Sequence, residues 1–109
     1  MWIGTGKITL DFYNNSDLNE KHRKLEELCA DLRKKFNVSA LEIDEFDEYE
    51  KCVIGFAAVI PENWKTSSAK TFVEKICKTI DETSFARVTS EQVELQAFGG
   101  GEYELEERD

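Results

Sequence analysis

Polar and apolar residues alternate with a period of two from residue 2 to residue 12. Trp2, Gly4, Gly6, Ile8, Leu10 and Phe12 share one phase, and Thr5, Lys7, Thr9 and Asp11 the other. Successive side chains of a strand point to opposite faces, so this stretch predicts a half-buried strand. After Asn14-Asn15-Ser16 the period lengthens. Leu18, Leu25, Leu28, Cys29, Leu32 and Phe36 recur at spacings of three, four and seven, which predicts an amphipathic helix ending near Phe36. Asp17 and Glu20 have the spacing of a capping box at its start. Arg33, Lys34 and Lys35 fall in its last turn, where the helix dipole favours cations, and Asn37 suits a left-handed stop.

Val38 to Asp44 predicts a second strand, with Ser39, Leu41 and Ile43 opposite Val38, Ala40 and Glu42, and Glu45 to Glu50 an acidic turn. Lys51 to Ile60 predicts a third strand that is apolar on both phases, so it should be central and covered on both sides. Pro61 ends it. Ala69, Phe72, Val73, Ile76, Cys77 and Ile80 mark a second helix over about 67–83. In the last strand, about 85–98, Val88 lies on one phase and Val93, Leu95 and Ala97 on the other, which predicts a bulge near Ser90 to Gln92. The order β-α-β-β-α-β, with short links and right-handed crossovers, closes most simply as an α+β ferredoxin-like sandwich. Its four-stranded antiparallel sheet would carry both helices on one face. The domain would cover residues 1–98, and 99–109 would be a Gly-rich link (Gly99-Gly100-Gly101) and an acidic tail with five acids and one base.

With 109 residues there is room for one core. The longest apolar run, Cys52 to Ile60, is far shorter than the roughly 20 residues of a membrane helix. Met1-Trp2-Ile3-Gly4 lacks the basic, then apolar, start of a signal peptide. A cytoplasmic location is therefore expected, with Cys29, Cys52 and Cys77 as small core residues. The formal charge of −9, from 14 Lys+Arg against 23 Asp+Glu, stands against DNA and anionic membranes.

Candidate chemistry is sparse. His22, the one histidine, cannot build a zinc site alone. Neither Gly4-Thr5-Gly6 nor Gly99–Gly101 opens a helix as a phosphate cradle would. An acylphosphatase-type sandwich needs an Arg after the first strand, and residues 11–17 contain none. No catalytic, cofactor or metal site is expected. Two surfaces remain. If both helices cover one sheet face, Val53, Ala57 and Val59 on the third strand need another cover, and a second copy of the chain is the simplest. The acidic turn, with Phe46, Asp47, Glu48 and Tyr49, is a candidate contact for a protein or ribonucleoprotein partner. Lys21, Arg23, Lys24, Arg33, Lys34 and Lys35 concentrate positive charge on the first helix and are candidate RNA phosphate contacts.

Leu32-Arg33-Lys34-Lys35-Phe36-Asn37-Val38-Ser39, followed by Glu42-Ile43-Asp44, resembles the YlxP-like bacterial family, domain of unknown function 503. Leu18-Asn19-Glu20-Lys21-His22-Arg23 and Ile54-Gly55 are similar to its flanking segments, and the resemblance covers about residues 1–96. It implies a ferredoxin-like fold and no known activity. The family's genes often lie among translation and ribosome-maturation genes, which implies a ribosome- or RNA-related role. The function expected first is a small non-catalytic binding or scaffold module acting through protein contacts as a homodimer. The alternative is an RNA- or ribosome-associated factor.

Overall fold

The structure, a computed structural model, describes residues 1–99. Its elements are β1 (Trp2–Asp11), α1 (Leu18–Phe36), β2 (Ser39–Asp44), β3 (Lys51–Ile60), α2 (Thr66–Asp81) and β4 (Arg87–Ala97). The strands pair antiparallel in the order β2-β3-β1-β4. Each β-α-β crossover therefore skips one strand, and the fold is ferredoxin-like. The acidic tail expected at 102–109 lies outside the described residues, as does the link beyond Gly99.

One phase of each strand meets the helices. Ile8, Leu10 and Phe12 of the first strand segment, Ile54, Phe56 and Ile60 of β3, Leu25, Leu28 and Leu32 of α1, and Val73, Ile76 and Ile80 of α2 form one core. Gly4 and Gly6 are glycine because the core comes too close for a Cβ. At Gly4 it would lie 2.6 Å from Val73 Cγ2, and at Gly6 it would run into the Phe56 ring. The bulge expected in β4 falls one residue early: Ser90 faces Thr9 and Val88 faces Leu10, leaving Thr89 as the extra residue. It brings Val88 onto the same side as Val93, Leu95 and Ala97. A second bulge, which the pattern does not predict, leaves Ile43 as the extra residue between Glu42 and Asp44 opposite β3.

The helix ends follow their local chemistry. Asp17 caps α1 by accepting from the Glu20 backbone N–H at 3.2 Å. The reciprocal half of the capping box is replaced, because the Glu20 carboxylate is held by Arg23 at 2.6 and 3.2 Å. Asn37 is left-handed (φ 55°), and its N–H donates to Arg33 O at 3.0 Å.

Candidate functional site

The sheet face away from the helices divides along its length. On β2 and β3 it carries Leu41 and Val59, 56% and 73% exposed, with Ile43 and Ala57 also exposed. Leu41 faces Gly55 and Ser39 faces Ala57, so these residues adjoin across the ladder. Ser39, Leu41, Gly55 and Ala57, together with Gly6, Ala40 and Phe56, line a shallow cavity of about 240 Å³. On β1 and β4 the same face is polar apart from Ile3, which pairs with Val59, with Thr5 opposite Glu94 and Lys7 opposite Gln92. One candidate does not belong to the exposed patch. Val53 is only 4% exposed, because it sits opposite Asp44 at the bulged end of β2. Nearby, the Ile43 side chain folds down so far that a Cβ on Gly55 would lie 3.0 Å from its Cδ1. Leu41 and Ile43 were legible as one phase of a strand. Ala40 and Val38 made the opposite phase equally apolar, so the pattern could not say which phase the helices leave open.

The acidic turn presents Phe46 and Tyr49 to solvent, and its backbone is held from below. Lys21 Nζ donates to Glu45 O at 2.8 Å, to Lys51 O at 3.0 Å and to Glu48 O. Asn15 Nδ2 donates to Tyr49 O at 2.7 Å, and the Phe12 N–H to Glu50 O at 2.6 Å. The turn is thus tied to α1 and to the β1–α1 link, and Asp47 and Glu48 project from a fixed frame.

This arrangement corrects the reading of the first helix. Lys21, expected among the solvent-facing RNA contacts, is 0% exposed, with the Glu42 carboxylate 3.9 Å from its ammonium. Its position three residues after Leu18 and four before Leu25 places it on the apolar stripe, a signal that its charge obscured. The neighbouring cations are also engaged. Arg23 bonds Glu20 and Glu27, and Lys24 lies 3.8 Å from Glu20. Hydrogen bonding and charge from Arg23 hold the Glu20 carboxyl below its ordinary pKa. Arg33 donates to Ala40 O at 2.6 Å on the edge strand and pairs with Glu26. Lys34 and Lys35 form no ion pair with any described residue, and Lys35 Nζ sits 5.7 Å from the Phe36 ring centroid. The six candidates therefore do not form one free cationic stripe.

The groups capable of chemistry are occupied or buried. His22 Nδ1 lies 2.7 Å from Glu42 Oε1. Burial pushes the thiols up, Cys29 and Cys77 to about 11 and Cys52 to about 12. At neutral pH they are protonated and poor nucleophiles. Native protein at pH 7.5 should therefore react with a disulfide reagent no faster than it unfolds, and prompt release of one equivalent would overturn this. The folded values exceed the ordinary 9.0. The stabilising contribution is thus complete below about pH 9 and fades as pH rises towards 11–12. Among the described residues, no group of three or more His, Cys, Asp or Glu side chains is placed to hold a metal ion, and no helix is long and apolar enough to cross a membrane.

No curated protein matches the chain. A family model does, over residues 3–93, a span that takes in β1 from Ile3 onward, β2, β3, both helices and most of β4. The resemblance carried by the Phe36–Ser39 and Glu42–Asp44 segments is thereby upheld: the chain belongs to the family of proteins of unknown function DUF503.

Proposed function

We propose that the chain is a small non-catalytic binding module in the cytosol that works through protein–protein contacts, as a homodimer formed on the open sheet face. The observation that carries this reading is the apolar half of that face, Leu41, Ile43, Ala57 and Val59, which no helix covers. Strands of ten, six, ten and eleven residues, at about 3.3 Å per residue and about 4.8 Å between strands, give the whole face roughly 600 Å². That approaches the roughly 800 Å² per partner of a standard interface. The three buried thiols, all unpaired, agree with a reducing compartment. The acidic turn with Phe46, Asp47, Glu48 and Tyr49 joins the ends of the same two strands and suits a basic protein segment.

The test is sedimentation equilibrium. The native chain should sediment at twice its 12.6 kDa mass. Leu41→Asp and Val59→Asp, both at exposed positions, should each shift it to the monomer with an unchanged circular dichroism spectrum. Exchanging Asp47 and Glu48 for Lys should leave the dimer intact and weaken only the binding of a synthetic Lys-rich peptide. A native chain that sediments as a monomer, or a dimer that survives both Asp variants, would sink the sheet-face reading.

A further inference from the structure

On the helix side of the sheet, the β3–α2 connection and the first turns of α2 frame a cavity of about 350 Å³. Small-molecule sites begin at roughly that size, about 300 Å³. One wall is aromatic. Trp64, 36% exposed, stands edge-on to Phe72 with ring centroids 5.7 Å apart and planes at 88°. Phe72 repeats this geometry with Phe36 of α1 at 5.8 Å, which braces the wall from behind. The polar lining is Ser67, Ser68 and Thr71, and Lys75, one turn beyond Thr71, supplies the charge.

The charge pattern sets this cavity apart in so acidic a chain. None of its lining residues is acidic, whereas the groove between α2 and β4 is lined by Glu74 and Glu94. Lys75 forms no ion pair with any described residue, nor does Lys65 just before α2. An exposed indole beside hydroxyls and an unopposed ammonium matches a ligand that joins a flat ring to an anion. Such a ring would stack on the aromatic wall, as bases do on single-strand-binding surfaces. The anion would accept from the hydroxyls and Lys75, the groups that position phosphates.

We infer that this cavity binds a nucleoside phosphate unit, with the base against Trp64 and the phosphate between Ser67, Ser68, Thr71 and Lys75. A free mononucleotide and one residue of a single-stranded RNA present the same chemistry. The site shares no lining residue with the open sheet face or with the cations of α1, so it stands independently of the homodimer reading.

The experiment is an amide and indole NMR titration of the full chain with AMP, adenosine and an eight-nucleotide oligo(A) RNA. AMP should shift the Trp64 indole signal and the amides of Ser67, Ser68, Thr71 and Lys75. It should bind at least tenfold more tightly than adenosine, and more weakly as salt rises. Lys75→Glu and Thr71→Glu change exposed positions, so the rest of the spectrum should be preserved while AMP affinity falls at least tenfold. Oligo(A) binding tenfold tighter than AMP through the same signals assigns the site to a strand, and equal or weaker binding assigns it to the free nucleotide. Three results would overturn the inference: no shift at these residues with either AMP or RNA at millimolar concentration, adenosine binding as tightly as AMP, or affinity unchanged in both Glu variants.

Discussion

Replacing Lys21 by Met is expected to lower the stability of the fold by about 3–5 kcal/mol, the usual cost of removing one partner from a buried charged network. Met fills most of the same volume, so little of the loss would be a packing cavity. What disappears is a buried ammonium that satisfies Glu45 O, Glu48 O and Lys51 O and stands 3.9 Å from Glu42. Glu45 O keeps the Glu48 N–H at 3.2 Å, whereas Glu48 O and Lys51 O lose the ammonium, and unsatisfied buried acceptors cost about 1–3 kcal/mol each. The measurement is urea unfolding. With a slope near 1.5–2 kcal/mol/M, the midpoint should fall by roughly 2 M. Hydrogen exchange should speed up first in residues 45–51. Repeating Lys21→Met in a Glu42→Gln background separates the two contributions. If the carbonyls dominate, the cost is nearly unchanged; if the carboxylate dominates, it shrinks. A loss below about 1 kcal/mol would show that the turn does not depend on Lys21 at all.

Gly6→Val should cost about 3 kcal/mol, near the upper end for overpacking a filled core. A Cβ at position 6 meets three atoms of the Phe56 ring. That ring is buried beneath the helices at 5% exposure and has no open side into which to swing. The companion variant Phe56→Leu removes the edge of the ring, so the two changes should be strongly non-additive, with the double variant more stable than the sum of the singles. Thermal unfolding of the two singles and the double closes the cycle. Strict additivity would mean that the loss comes from the strand backbone and not from the ring. Gly55 provides the contrast: an added Cβ there meets the Ile43 side chain on the open face, at 3.0 and 3.2 Å.

The element order was legible because periodicity is a local property. The two-residue alternation of Trp2 to Phe12 and the helical stripes of Leu18 to Phe36 and Ala69 to Ile80 each specify an element without reference to the others. The β4 bulge was legible to within a residue for the same reason, since a change of phase is written along the strand. The surfaces were harder to read. Val53, Ala57 and Val59 share one phase of β3 and look equivalent in sequence, yet only the last two are exposed. The difference arises at the Ile43 bulge, a property of how β2 lies against β3. Lys21 counted as one of six similar cations, although its stripe position pointed inward.

The aromatic wall of Trp64, Phe72 and Phe36 shows the limit most directly. Trp64 lies before α2 and Phe36 ends α1, and no spacing rule joins them. They meet because both helices pack on the same sheet face, which also brings Lys75 beside a cavity without carboxylates. The sequence by itself determined the six elements, their order, the sandwich they close into and the family. Tertiary structure decided which charges are consumed inside the fold and which apolar positions stay uncovered. Element type follows from the pattern of neighbours along the chain, whereas a charge or a methyl group is buried or free according to what another element lays over it.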